Sequence, residues 1–125
     1  MKGRAAFRVL LVDDEVLIRM MVSDMLNDLG HAVVAEAGEL DQSLTLARSA
    51  DFDLAILDVN LNGVLIDPVA EAIIARRIPF ILATGYSSPS VAARYPQIPR
   101  LRKPYGVRDL ESVIDHAMAC IGDAR

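Results

Sequence analysis

Short runs of branched aliphatic residues, separated by stretches of helical periodicity, constrain this chain more than any other feature. The runs "RVLLV" (8–12), "HAVVAEA" (31–37), "LAILD" (54–58) and "PFILAT" (79–84) are too short for helices and rich in Val, Ile and Leu. They read as strands. Three of them are nearly continuously apolar, as expected of a parallel sheet covered on both faces. "IPRLRK" (98–103) is a fifth strand, weaker than the others because of its prolines.

Helical segments fill the gaps. Ile18, Val22, Met25 and Leu29 recur at spacings of four, three and four, and Gly30 is a natural stop. Leu40, Leu44 and Ala47 form a second stripe. In the third segment Asp67 is placed to cap, Pro68 suits the first helical position, and Val69 to Arg77 are helix formers. "SPSVAARYP" (88–96) has a start signal but meets Pro96 within two turns, so the fourth helix is expected to be short or mobile. The last helix runs from about Val107 to Cys120, with Leu110, Val113, Ile114, Ala117 and Ile121 on one face. Strand and helix thus alternate five times. That implies an α/β fold, a doubly wound five-stranded parallel sheet with right-handed crossovers. The 125 residues suffice for one domain, 1–125, and not for two.

Composition narrows the function classes. A 53% apolar content argues against disorder, and a net charge of −4 offers no signature of nucleic-acid or membrane binding. Cys120 is the only cysteine, so no internal disulfide can form and a reducing, cytoplasmic location is expected. Residues 1–12 start basic and turn apolar, but Arg8 and Asp13 break the short run, so no secretory signal is expected there. No apolar run is long enough to span a membrane.

In open parallel sheets ligands bind beyond the carboxyl ends of the strands, so the residues there matter most. The first strand runs into Asp13 and Asp14, the third ends at Asp58, the fourth at Thr84 and the fifth at Lys103-Pro104. Three carboxylates, a hydroxyl and an ammonium would converge on one rim. Carboxylates this close raise one another's pKa unless a cation joins them. A hard divalent ion such as Mg²⁺ suits oxygen ligands, and the absence of His or Cys at the strand ends disfavours zinc. A carboxylate beside such an ion can attack phosphorus, with Lys103 balancing the incoming charge and Thr84 donating to a phosphoryl oxygen. Taken singly, each residue has a plainer reading. Asp13 or Asp14 would cap a helix, Asp58 would be a turn residue in "DVNLNG", and Lys103 a solvated charge. His31 and His116 read as structural, and Cys120 as a helix residue without redox chemistry.

The motifs "LLVDDE", "LAILDVNL", "PFILATGY" and "RKPY" resemble, in order and spacing, the receiver domain of bacterial two-component response regulators. "PFILATGY" with "KPY" is similar to the alphaproteobacterial single-domain subgroup nicknamed for its Phe-Ala-Thr-Gly motif, with Leu82 in place of the Phe. The resemblance implies a flavodoxin-like receiver fold and a signalling switch, not a metabolic enzyme. Asp58 would accept a phosphoryl group from a phosphohistidine on a sensor histidine kinase or phosphotransfer protein. Asp14 would bind Mg²⁺ directly and Asp13 largely through water, and the Asn60 backbone carbonyl would be a further ligand. Thr84 and Lys103 would hold phosphoryl oxygens, Gly85 would leave room beside them, and Lys103-Pro104 would be cis. The first turns of the first helix face the kinase in this family. Leu17, Ile18 and Met21, with Pro104 and Tyr105, are therefore candidate docking residues; flexible Met suits such contacts.

The chain departs from the family at Arg100, where many receivers carry a switching aromatic. Tyr86 and Tyr105 are the nearest aromatics, and ordering of 86–99 is the expected alternative. Asn60 and Tyr86 occupy positions that tune aspartyl-phosphate lifetime in the family. The chain ends soon after the last helix, so output is expected through binding an unnamed downstream protein or onward phosphotransfer, without a DNA-binding domain. Two other classes compete. A Mg²⁺-dependent aspartyl phosphatase of the haloacid dehalogenase type needs a second Asp two residues after the nucleophile, where this chain has Asn60. A receiver-like binding module that works without phosphorylation would not need Asp13, Asp14, Asp58, Thr84 and Lys103 all intact.

Overall fold

A computed structural model describes residues 6–85 and 94–123. The strands are β1 (Arg8–Val12), β2 (Ala32–Ala37), β3 (Leu54–Asp58), β4 (Asn60–Leu61), β5 (Val64–Leu65), β6 (Phe80–Thr84) and β7 (Arg100–Arg102). The helices are α1 (Val16–Asp28), α2 (Leu40–Ser49), α3 (Asp67–Ala75) and α4 (Val107–Asp123). Five strands form one parallel sheet in the order β2-β1-β3-β6-β7, and β4 with β5 makes a separate two-stranded antiparallel hairpin. The fold is therefore the doubly wound α/β sheet that the alternation implied, in the flavodoxin-like form that the resemblance implied.

The continuous apolar runs are explained by burial on both faces. Leu10, Val12, Ala55, Leu57, Phe80 and Leu82 point to one face and pack with Ala47, Val69 and Ile73 of α2 and α3. Val9, Leu11, Leu54, Ile56, Ile81 and Leu101 point to the other, against Val22 and Leu26 of α1 and Leu110, Ile114 and Ala117 of α4. Neighbouring residues in one strand serve opposite cores, so neither can be polar. Truncating Leu57 or Leu82 to Ala would cost about 2–5 kcal/mol.

Helix ends follow local chemistry. Gly30 has φ 91°, its N–H donates to Asn27 O, and the His31 N–H reaches back to Leu26 O at 2.8 Å. This double bond pattern closes α1. His31 is buried and structural: its Nδ1 accepts from the Phe7 N–H at 3.1 Å and its ring stacks on Phe7. Asp67 does not cap α3. The capping position is Ile66, and Asp67, one residue inside the helix, spends its carboxylate on Arg94 at 2.7 and 2.9 Å and on the Tyr95 hydroxyl at 3.2 Å. "LNGV" is a hairpin turn instead of an open loop.

The short or mobile fourth helix expected over 88–96 and the roles considered for Tyr86 fall largely on residues 86–93, outside the described residues. The same holds for the side chains of Cys120 and Ile121. Arg100 stands exposed on β7.

Candidate active site at the carboxyl rim of the sheet

Strand register assembles the site. β1 and β3 are neighbours with Val12 opposite Leu57, so Asp13 lies one step on, beside Asp58. Asp58 in turn pairs with Ala83, placing Thr84 at the next step of the adjacent strand. Thr84 pairs with Arg102, and its carbonyl accepts from the Lys103 N–H at 2.8 Å. The gap between β1 and β3 is where the strand order reverses, the point at which such sheets open a crevice.

Asp13 and Asp58 are buried, at 3% and 7% exposure. The Lys103 ammonium bridges them, 3.0 Å from Asp13 Oδ2 and 3.1 Å from Asp58 Oδ2. Their other oxygens accept backbone N–H groups, Asp13 Oδ1 from Glu15 at 2.9 Å and Asp58 Oδ1 from Asn60 at 3.2 Å. Asp14, half-buried, accepts the Asn62 N–H on Oδ2 at 3.0 Å. One carboxylate oxygen from each of Asp13, Asp14 and Asp58 lies within 4.8 Å of the other two. The neighbours of Asp13 are themselves fixed: Arg19 donates from Nη1 to the Asp13 carbonyl and pairs with Glu36 at 3.2 Å. Gly38 makes room for that arginine, since a Cβ there would sit 2.7 Å from its Nη1.

Burial pushes the Asp58 carboxyl pKa up; the Lys103 charge and the Asn60 N–H oppose the rise, and the Asp13 charge adds to it. Burial works against the Lys103 ammonium too, but its hydrogen bond to Asp13 and the charges of Asp58 and Asp13 outweigh it, so its pKa rises. Three carboxylates against one ammonium leave two negative charges, which one divalent cation would neutralise. The donors are all oxygen, and no His or Cys joins the cluster among the described residues. The set fits a hard cation of the Mg²⁺ class.

Beside the carboxylates, Ile18, Met21 and Met25 of α1 face Lys103, Pro104 and Tyr105 across a cavity of about 300 Å³. Burial pushes the Tyr105 hydroxyl pKa up to about 12, with the Lys103 charge opposing. Leu17, at 73% exposure, and Met21, at 53%, stand on the outer surface of the same helix. Gly85 borders the cavity, and a Cβ on it would meet nothing within 4 Å. The Lys103-Pro104 bond is cis.

Residues 9–115 match the family model of the response regulator receiver domain. The chain belongs to that family. It is 33% identical over 118 residues to the transcriptional regulatory protein PdtaR of Mycobacterium tuberculosis, covering 90% of this chain and 57% of that protein. The receiver thus spans little more than half the length of this curated relative. Among solved structures it is similar to SdrG from Sphingomonas melonis Fr1, at 38% identity and TM-score 0.78, over 95% of this chain and 98% of that one. It is also similar to the response regulator PhyR from Brucella abortus, at 27% identity and TM-score 0.83, over 96% of this chain and 51% of that one.

The receiver brings Asp13, Asp14, Asp58 and Lys103 together as the sequence implied, and sets Thr84 and Asn60 at the same rim. Sequence reasoning missed Arg19, Gly38, Asn62 and Gly63, which touch the acidic residues or the groups that hold them. Asn62-Gly63 carried a legible signal, since Asn-Gly between apolar residues marks a tight hairpin. Arg19 carried none, because its partners come from two other elements. No helix among the described residues is long and apolar enough to cross a membrane.

Proposed function

We propose that this receiver is a phosphorylatable switch in which Asp58 takes a phosphoryl group from a phosphohistidine on a sensor kinase or phosphotransfer protein. The observation that carries this reading is the Asp13–Lys103–Asp58 bridge beside Asp14, a buried nucleophile with a cation already at its oxygen. Asp13, Asp14, Asp58 and the Asn60 carbonyl would hold Mg²⁺, which supplies charge neutralisation for the transferring phosphoryl group. An Asp58 oxygen forms the new P–O bond as the P–N bond to the imidazole breaks, and the electron pair leaves with the histidine nitrogen. The Lys103 ammonium gives up its contact to Asp58 and donates to a phosphoryl oxygen, while the Thr84 hydroxyl donates to another. Burial serves the chemistry by weakening the solvation of the nucleophile and strengthening the Lys103 contact.

The apolar cavity and the exposed Leu17 and Met21 support docking of the histidine-bearing partner over Ile18, Pro104 and Tyr105. The similarity to SdrG over nearly its whole chain, with the "PFILATGY" run, supports placement in the Phe-Ala-Thr-Gly subgroup, a single receiver domain acting in the cytoplasm through binding or onward transfer. The protein then modifies only itself and turns over no metabolite. Asn60, where a phosphatase would need an acid, supports this over hydrolysis of external substrates.

Intact-mass spectrometry after incubation with acetyl phosphate tests the reading. One added phosphoryl group is expected, requiring both Mg²⁺ and Asp58 and absent in Asp58→Asn. An adduct that persists in Asp58→Asn would overturn the assignment.

A further inference from the structure

We propose that the β4–β5 hairpin is a positioning device for the acidic site, with Asn62 and Gly63 as its positioning residues. The inference rests on the cation-binding reading above and deepens it. The hairpin's flanks are seated in the core: Val59, Leu61 and Ile66 are at most 2% exposed. Its tip carries consecutive residues with positive φ, Asn62 at 51° and Gly63 at 83°, the backbone of a tight two-residue turn. Successive amides of that tip point to different members of the site. The Asn62 N–H donates to Asp14 Oδ2 at 3.0 Å. The Gly63 N–H donates to Asn60 Oδ1 at 2.7 Å, while the Asn60 N–H donates to Asp58 Oδ1 at 3.2 Å.

The consequence is geometric. Asp14 sits in the connection between β1 and α1, half-exposed, and no strand fixes its side chain. The Asn62 amide holds one of its oxygens and leaves the other for a cation. Asn60 is held at both its N–H and its side chain, which sets the direction of its carbonyl. An unorganised loop would have to order both residues on binding and would pay the entropy then. The hairpin orders them beforehand.

Gly63 makes this testable without steric confusion. A Cβ on Gly63 would meet nothing within 4 Å, so Gly63→Ala adds only backbone strain at positive φ. Gly30 offers the matched control: φ 91°, nothing within 4 Å, at the far end of α1 from the site. Mg²⁺ titration of the nitrogen-labelled protein, followed by amide NMR shifts, reads affinity directly, and hydrogen exchange of the Asn62 amide reads the positioning without metal.

Gly63→Ala is expected to weaken Mg²⁺ binding by roughly three- to tenfold and to speed Asn62 exchange, with Gly30→Ala leaving both unchanged. Asn60→Ala, which keeps the backbone carbonyl but removes the Gly63 partner, is expected to weaken binding in the same direction. Wild-type affinity and wild-type Asn62 exchange in both hairpin variants would overturn the positioning role while leaving the cation site standing. A wild-type protein that binds no Mg²⁺ at millimolar concentration would overturn both.

Discussion

At each rim of the sheet one cation bridges two carboxylates, and the two bridges behave in opposite ways. At the amino rim Arg8 pairs with two carboxylates, reaching Asp51 at 2.7 Å and Asp53 at 2.9 and 3.2 Å. At the carboxyl rim Lys103 likewise pairs with two, Asp13 and Asp58. Yet the Arg8 hydrogen bonds hold the Asp53 carboxyl below its usual range, whereas burial drives Asp58 above it. Solvent access decides the difference. Arg8 and Asp51 are open to water, while the side chains of Asp13 and Asp58 are at most 9% exposed. An exposed bridge relaxes its charges; a buried one stores unfavourable charge that a cation or a phosphoryl group can then use.

The largest effect should come from removing the cation of the buried bridge. Lys103→Met leaves Asp13 and Asp58 buried with no cation beside them and only one backbone N–H each, which costs about 3 kcal/mol in metal-free buffer at neutral pH. Urea unfolding should show it. Lys103→Met should also bind Mg²⁺ more tightly than wild type, because the competing ammonium is gone, while losing labelling by acetyl phosphate. Arg8→Met should move the unfolding midpoint far less, because its pairs are exposed and screened. Equal shifts at the two rims would break the comparison.

How much of this asymmetry was legible in the sequence follows from its physical origin. The strand ends were readable because apolar runs stop where the sheet stops, so Asp13, Asp58, Thr84 and Lys103 could be placed on one rim from "LLVDDE", "LAILD", "PFILAT" and "LRK" alone. Burial on both faces was readable from the unbroken apolarity of β1, β3 and β6. The bridging of Asp13 and Asp58 by Lys103 was not, since it depends on a partner 90 and 45 residues away. Arg19 and Gly38 were invisible for the same reason: the close approach of an α1 side chain to the turn after β2 exists only once the helix is docked. Asp67 misled because a local capping preference lost to a bidentate arginine from a distant segment.

A second, smaller effect concerns pH at the buried rim. The folded-state pKa of Asp58 lies above its unfolded value, so between the two the native state holds more protons. Stability from this residue therefore falls as pH rises through that window. Asp58→Asn removes the charge and keeps a group that can accept the Asn60 N–H. It should be more stable than wild type at neutral pH in metal-free buffer, by less than the Lys103→Met loss, and the gap should close as pH is lowered. Mg²⁺ should narrow the gap as well, since it stabilises only the wild-type carboxylate. A variant less stable than wild type across the whole range would mean the Lys103 pairing outweighs burial.

The smallest effect belongs to the amino rim and should have the opposite sign. Arg8 holds Asp53 below its unfolded pKa by hydrogen bonds to both oxygens. The stabilisation is present above the unfolded value and is lost as pH falls through the folded one. Asp53→Asn should thus be slightly less stable than wild type at neutral pH and converge with it in acid. One molar salt should shrink the difference, because the partners are in contact with water. Measured together, the Asp53→Asn and Asp58→Asn differences from wild type should carry opposite signs at neutral pH and both fade toward acid, and only the Asp58 difference should respond to Mg²⁺. Same-sign behaviour would mean that burial does not separate the rims, and the stored charge at the carboxyl rim would need another source.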